Sequence, residues 1–207
     1  MRNRLKSATV AAAALAVLLA GCGDESTTTT EPAGPDLGRA PASVSWQTYQ
    51  GMKLPVGAED GPKDTSSAAA HGYSQTPQGA ALAAINAQVR MSIATDADWA
   101  KVAAVVLATG PGKDHWVLNR AQVSVVGGVD ETAPKISGYK VNSYSPDKAE
   151  IAVYSTFPDN SVSEAKATVI WFAHDWRLQL PDPAAKVVTI SEVPAVPADA
   201  VRLEVGA

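Results

Sequence analysis

One change of hydrophobic period, near the middle of the chain, constrains this fold more than any other feature. Up to about Ala121 the apolar residues recur at helical spacing, and after the breaker-rich stretch GGVDETAP (127–134) they alternate. Helices first and consecutive hairpins afterwards imply an α+β domain, with the helices segregated to one face of an antiparallel sheet. A parallel α/β layout would need strands and helices to alternate along the chain.

The helical half begins in GYSQTPQGAALAA (Gly72 to Ala84). Thr76 followed by Pro77 is a helix start: the hydroxyl caps, and proline suits the first helical position. From Pro77 to about Thr95 only Gly79, in the first turn, disfavours a helix. Leu82, Ile85, Val89 and Ile93 share one face. Gly79, Ala80, Ala81, Ala83, Ala84 and Ala87 keep this helix thin, so another backbone can approach it closely. Asp96 is expected to cap a second helix carrying Trp99, Val102, Val106 and Leu107, which Gly110-Pro111-Gly112 ends. A third, shorter helix is expected from Lys113 to about Ala121.

The alternating half divides into Lys135–Tyr144, Ala149–Phe157, Ser163–Phe172 and Trp176–Leu180, joined by short turns. Turns this short connect antiparallel neighbours, so the expectation is a four-strand meander with two to three N-terminal helices on one face. Ahead of the helices, Val44–Lys53 reads as a strand or extended segment followed by a long surface loop. The tail from 184 to 207 contains VVTISEV, a candidate edge strand, among several prolines.

The chain opens with MRNRLKSATVAAAALAVLLAGC. A basic start at Arg2, Arg4 and Lys6, then an apolar run too short for a comfortable span, reads as a secretory signal over 1–21. Leu19-Ala20-Gly21-Cys22 resembles the lipobox of bacterial lipoproteins. That resemblance implies a diacylglycerol on the Cys22 thiol and attachment to the outer face of the cell membrane. Residues 22–43 are polar and rich in Thr, Pro and Gly, and are expected to form a flexible tether. A single domain is expected over 44–183.

Cys22 is the only cysteine, so an intrachain disulfide is excluded and the domain must rely on its core. Loss of Arg2, Arg4 and Lys6 with the signal leaves 14 of 17 basic residues against 21 acidic ones. That balance argues against nucleic acid as a direct partner.

Two or three helices followed by a curved antiparallel sheet resemble the nuclear-transport-factor-2-like (cystatin-like cone) fold. The order is similar to that of extracytoplasmic domains in conjugation and type IV secretion assembly. The residues carrying the closer likeness are Gly72-Tyr73-Ser74 with Thr76-Pro77 and Gly79-Ala80, then Ile136, Gly138 and Tyr139 in ISGYKV, and Trp171 with Asp175-Trp176-Arg177-Leu178. The pattern also resembles an uncharacterised family of secreted or lipid-anchored proteins from high-GC Gram-positive bacteria. Where those assembly domains use a transmembrane helix, this chain has the lipobox.

Signals for chemistry are sparse. His71, His115 and His174 lack metal-ligand spacing, and no phosphate-binding glycine loop or GxSxG elbow occurs. Neither a metal nor a cofactor is expected. The adjacent His174-Asp175 reads as turn chemistry rather than as an acid–base pair. Trp46, Trp99, Trp116, Trp171 and Trp176 read as core between helices and sheet, or as the lining of a ligand pocket. Tyr139, Tyr144 and Tyr154 fit a surface recognition stripe or ordinary cross-strand pairing. The residues singled out for partner or ligand contact are Tyr73, Ser74, Trp116, Tyr139 and Tyr154. The functional expectation is a non-catalytic, lipid-anchored module that docks to envelope proteins. The alternative is a binder of small apolar ligands with a pocket between helices and sheet.

Overall fold

A computed structural model describes residues 34–203, and Cys22 with the signal segment lies outside them. Their elements, in chain order, are β1 (Val44–Tyr49), β2 (Met52–Gly57), α1 (Pro77–Ile93), α2 (Trp99–Val106) and α3 (Pro111–Arg120). Next come β3 (Lys135–Tyr144), β4 (Lys148–Thr156), β5 (Val162–Phe172) and β6 (Asp175–Gln179). A short 3₁₀ turn (Pro183–Ala185), β7 (Ile190–Val193) and β8 (Val201–Arg202) complete them. Among these residues no helix is long and apolar enough to cross a membrane.

The chain is α+β, but the expected layout of N-terminal helices on a four-strand meander is corrected. The main sheet has six antiparallel strands in the order β6-β5-β4-β3-β8, with β7 also on β5. β6 pairs with Thr168–Phe172 and β7 with Val162–Ala165, so the two continue one another along a single edge of β5. β8 adds two residues to the opposite edge, beside β3. The helices are also preceded by structure: β1 and β2 form a separate two-stranded sheet.

Each missed element has a physical reason. Gln50-Gly51 turns the β1–β2 hairpin with φ of 47° and 91°, the two left-handed positions of a tight hairpin turn. Gln-Gly is a weaker signal for that turn than Asn-Gly. β8 is too short to show a period, while β7 falls within VVTISEV, the stretch expected as an edge strand. Gly138, from the ISGYKV stretch, admits β8. A Cβ there would sit 2.6 Å from the Val201 carbonyl oxygen.

α1 is the centre of the domain. It is buried on nearly every side from Pro77 to Ala87, held between the sheet and the β1–β2 hairpin. Its small residues make that possible, because a thin helix can take neighbours on both flanks. Leu82 and Ile85 are fully buried, each contributing on the order of 1.5–3 kcal/mol of apolar burial. The polar groups that must be buried with it are matched. Asn86 donates to Pro55 O at 3.1 Å, and Arg90 donates to Asn86 Oδ1, Ala68 O and Gln47 Oε1. Arg90 also lies over the Tyr49 ring, 4.5 Å from its centroid.

The packed chain starts before Val44. Gln78 donates to the carbonyls of Asp36 and Arg39, both at 3.0 Å, and Pro41 is buried. The boundary expected between tether and domain therefore moves back to about Asp36.

The tail is a strap rather than an irregular end. Between β7 and β8 it crosses the sheet face opposite the helices, where Val196 and Ala200 cover Ala152, Tyr154 and Val162. Lys140 pairs with Asp199 at 2.7 Å, and Arg202 donates to Val196 O at 3.0 Å.

Candidate functional site

A half-open groove of about 440 Å³ lies between the C-terminal half of α1 and the helix-facing side of the sheet. α1 supplies Ile85, Val89, Met91 and Ile93. The sheet supplies Ile136 and Val153, with small residues at Ser155, Ser163, Ala165 and Ala167. Those small side chains are why the groove exists: opposite them the helix side chains have no large partner to interdigitate with. One end is bounded by Val129, Ala133 and Pro134, the other by Leu180, Pro181, Thr189 and Ile190. The volume falls in the range of about 300–1,000 Å³ that small-ligand sites occupy.

Polar side chains are the minority: Ser155 and Ser163 on the sheet, with Gln88, Ser92, Gln179 and Thr189. Gln88 donates to Lys166 O at 3.4 Å, and Ser92 donates to Gln88 O at 2.7 Å. Alternation along β5 turns Ala165 and Ala167 toward the helices and Lys166 to the other face, where its ammonium lies 3.9 Å from Glu164. The groove thus has an apolar interior without a charged side chain pointing into it. A second, shallower depression adjoins it, sharing Met91, Leu180 and Pro181 and adding His115, Trp116, Asn119, Asp182 and Lys186. α3 can lie against this strand end because of Gly112. A Cβ there would meet Leu180 O at 2.4 Å and Pro181 O at 2.5 Å.

The residues expected to contact a partner are placed differently. Tyr73, Tyr139 and Tyr154 are buried, so the surface-stripe reading of Tyr139 and Tyr154 is corrected. Tyr154 is covered by the tail strap, and burial together with the neighbouring Glu164 pushes its hydroxyl up to about 12. Burial also raises Tyr73 and Tyr139, with the Asp60 charge adding to the shift at Tyr139. Ser74 donates to Asp60 Oδ1 at 3.0 Å and lies 2.7 Å from the Thr76 hydroxyl, so it belongs to the helix cap. Trp116 alone of the set touches a concavity, the second depression.

The cap at Thr76 is as expected, its side chain accepting from Gly79 N at 3.0 Å. Asp96 does not cap α2. Its carboxylate takes Ser124 Oγ, Val125 N and Arg120 Nη2 instead, which holds it down to about 2. Trp176 is in the core, while Trp46, Trp99, Trp116 and Trp171 pack partly buried around it. Trp99–Trp116 and Trp171–Trp176 meet edge to face at 6.1 and 5.3 Å. None of these tryptophans lines the apolar groove, whose one aromatic side chain is Phe157. Sequence reasoning missed its lining because Ala165, Ala167 and Val89 look like any core residues.

His174 follows Ala173 in a hairpin turn with φ of 63° and 52°, exposed and away from the groove. Among the described residues no group of three or more His, Cys, Asp or Glu side chains is placed to hold a metal ion. No curated protein and no solved structure matches the chain. The profile of the domain of unknown function DUF8175 matches residues 6–197, and the chain belongs to that family.

Proposed function

We propose that this protein is a lipid-anchored, extracytoplasmic binder of small apolar ligands, and that the groove between α1 and the sheet is its binding site. The observation that carries the reading is the groove itself: about 440 Å³, half-open and mostly apolar in its lining. Leu19-Ala20-Gly21-Cys22 supports the anchor at the membrane surface. The groove brings together no acid–base pair among the described residues, which favours holding a ligand over transforming it.

The test uses the chain carrying Cys22→Ser, which leaves every described residue in place and removes the acylation site. Titration with N-phenyl-1-naphthylamine, a neutral apolar dye that brightens out of water, should saturate at one dye per chain. A linear, unsaturable rise would contradict the reading. It would return weight to the envelope-assembly module, which pull-down from solubilised membranes addresses.

A further inference from the structure

Resting on that reading, we infer that the ligand is a single-chain amphiphile with a compact anionic head, its chain in the aliphatic groove and its head in the adjoining depression beside Lys186. Three observations lead there. The two concavities adjoin, with Met91, Leu180 and Pro181 walling both. They differ in the groups they add: the groove lining is mostly apolar, and the depression, also largely apolar, adds His115, Asn119 and Lys186. Lys186 has no ion-pair partner among the described residues, so its ammonium is open to an incoming anion. Asp182, the one acid in the depression, turns Oδ1 to its own 3₁₀ turn, accepting Ala184 N at 2.8 Å.

The rim agrees with this division. Val187 lines the depression and Ile190 the groove, and both are exposed, at 59% and 66%. Exposed aliphatic side chains beside both concavities suit an alkyl chain lying across them. A purely apolar ligand would leave His115, Asn119 and Lys186 without a partner. A hydrophilic anion alone would leave the groove unfilled.

The test is displacement of N-phenyl-1-naphthylamine from the Cys22→Ser chain by laurate, dodecanol and dodecyltrimethylammonium, which share a chain length and differ in head charge. Laurate should compete about fivefold more tightly than dodecanol, the size expected of one partly exposed ion pair. Dodecyltrimethylammonium should be the weakest. Lys186→Asn, which suits the left-handed backbone there (φ 50°), should remove the laurate preference and leave dodecanol unchanged. Lys166→Gln, on the other face of β5, should change neither. Equal competition by laurate and dodecanol, or a preference that survives Lys186→Asn, would overturn the head-group assignment and leave the apolar site standing. Failure of the dye to bind saturably would overturn both.

Discussion

The carboxylate of Asp175, at the start of β6, accepts the backbone N–H of Gly72, 103 residues earlier, at 2.8 Å. The same side chain accepts Tyr73 N at 3.0 Å and Trp176 N at 2.9 Å. Around it Trp176 Nε1 donates to Ser74 O at 2.8 Å, and the Tyr144 hydroxyl donates to Gln75 O at 2.8 Å. The lead-in to α1 is thereby stitched to the end of the sheet, which fixes where the helix lies and so where the groove opens. Asp175→Ala strands three backbone donors in a partly buried junction. It should cost about 2 kcal/mol or more in denaturant unfolding, with Asp175→Asn costing less.

Gly79 is required by the same junction. A Cβ on it would sit 2.1 Å from Ser74 O. In an ordinary helix Gly→Ala stabilises by about 1 kcal/mol, but here the backbone of residue 74 occupies the space. Gly79→Ala should therefore destabilise by about 2 kcal/mol or more. A thermal midpoint equal to or above that of the parent chain would refute this account of the stretch.

Arg90 predicts a failed conservative exchange. Its guanidinium is about 1% exposed and satisfies Asn86, Ala68 and Gln47 in three directions. Lysine cannot reproduce that planar fork. Arg90→Lys should cost about 2 kcal/mol and Arg90→Met about 3 kcal/mol or more, measured by urea unfolding.

Asp96 sets an acid limit on the loop after α3. Its folded value, about 2, lies below the ordinary carboxylate value, held there chiefly by the Ser124 hydroxyl, then by Val125 N–H and Arg120. A depressed folded value means the stabilisation is fully present above about pH 4 and is lost as pH falls toward 2. Hydrogen exchange at Val125 N should accelerate over that window, and Asp96→Asn should flatten the profile. Protection that is independent of pH between 4 and 2 would contradict the assignment.

What the sequence revealed, and what it hid, follows from how local each signal is. Alternation located β3 to β6 within a residue or so, because those strands present one face to a core. Thr76-Pro77 located α1 because capping is decided by adjacent residues. β7 is legible in VVTISEV as a candidate edge strand, whereas β8 is too short for a period and its place is set by the strap that leads to it. Alternation leaves Tyr139 and Tyr154 open between a surface stripe and cross-strand pairing, because it reports which face a residue takes, not what covers it: Tyr139 lies in the core shared with α1, and the strap covers Tyr154. The groove was hidden because it is a mismatch of volumes between α1 and β5, and only their juxtaposition shows that Ala165 and Ala167 leave Val89 without a partner of matching size.

The most direct test of the binding claim is a paired dye titration of the Cys22→Ser chain with and without Ala165→Trp. Residue 165 lines the groove from β5, and the indole would occupy the space an apolar ligand needs. The account predicts saturable N-phenyl-1-naphthylamine binding by the first chain, and at least about a tenfold loss in the second with its thermal midpoint retained. Equal binding by the two chains, both folded, would contradict the claim that the groove is the site.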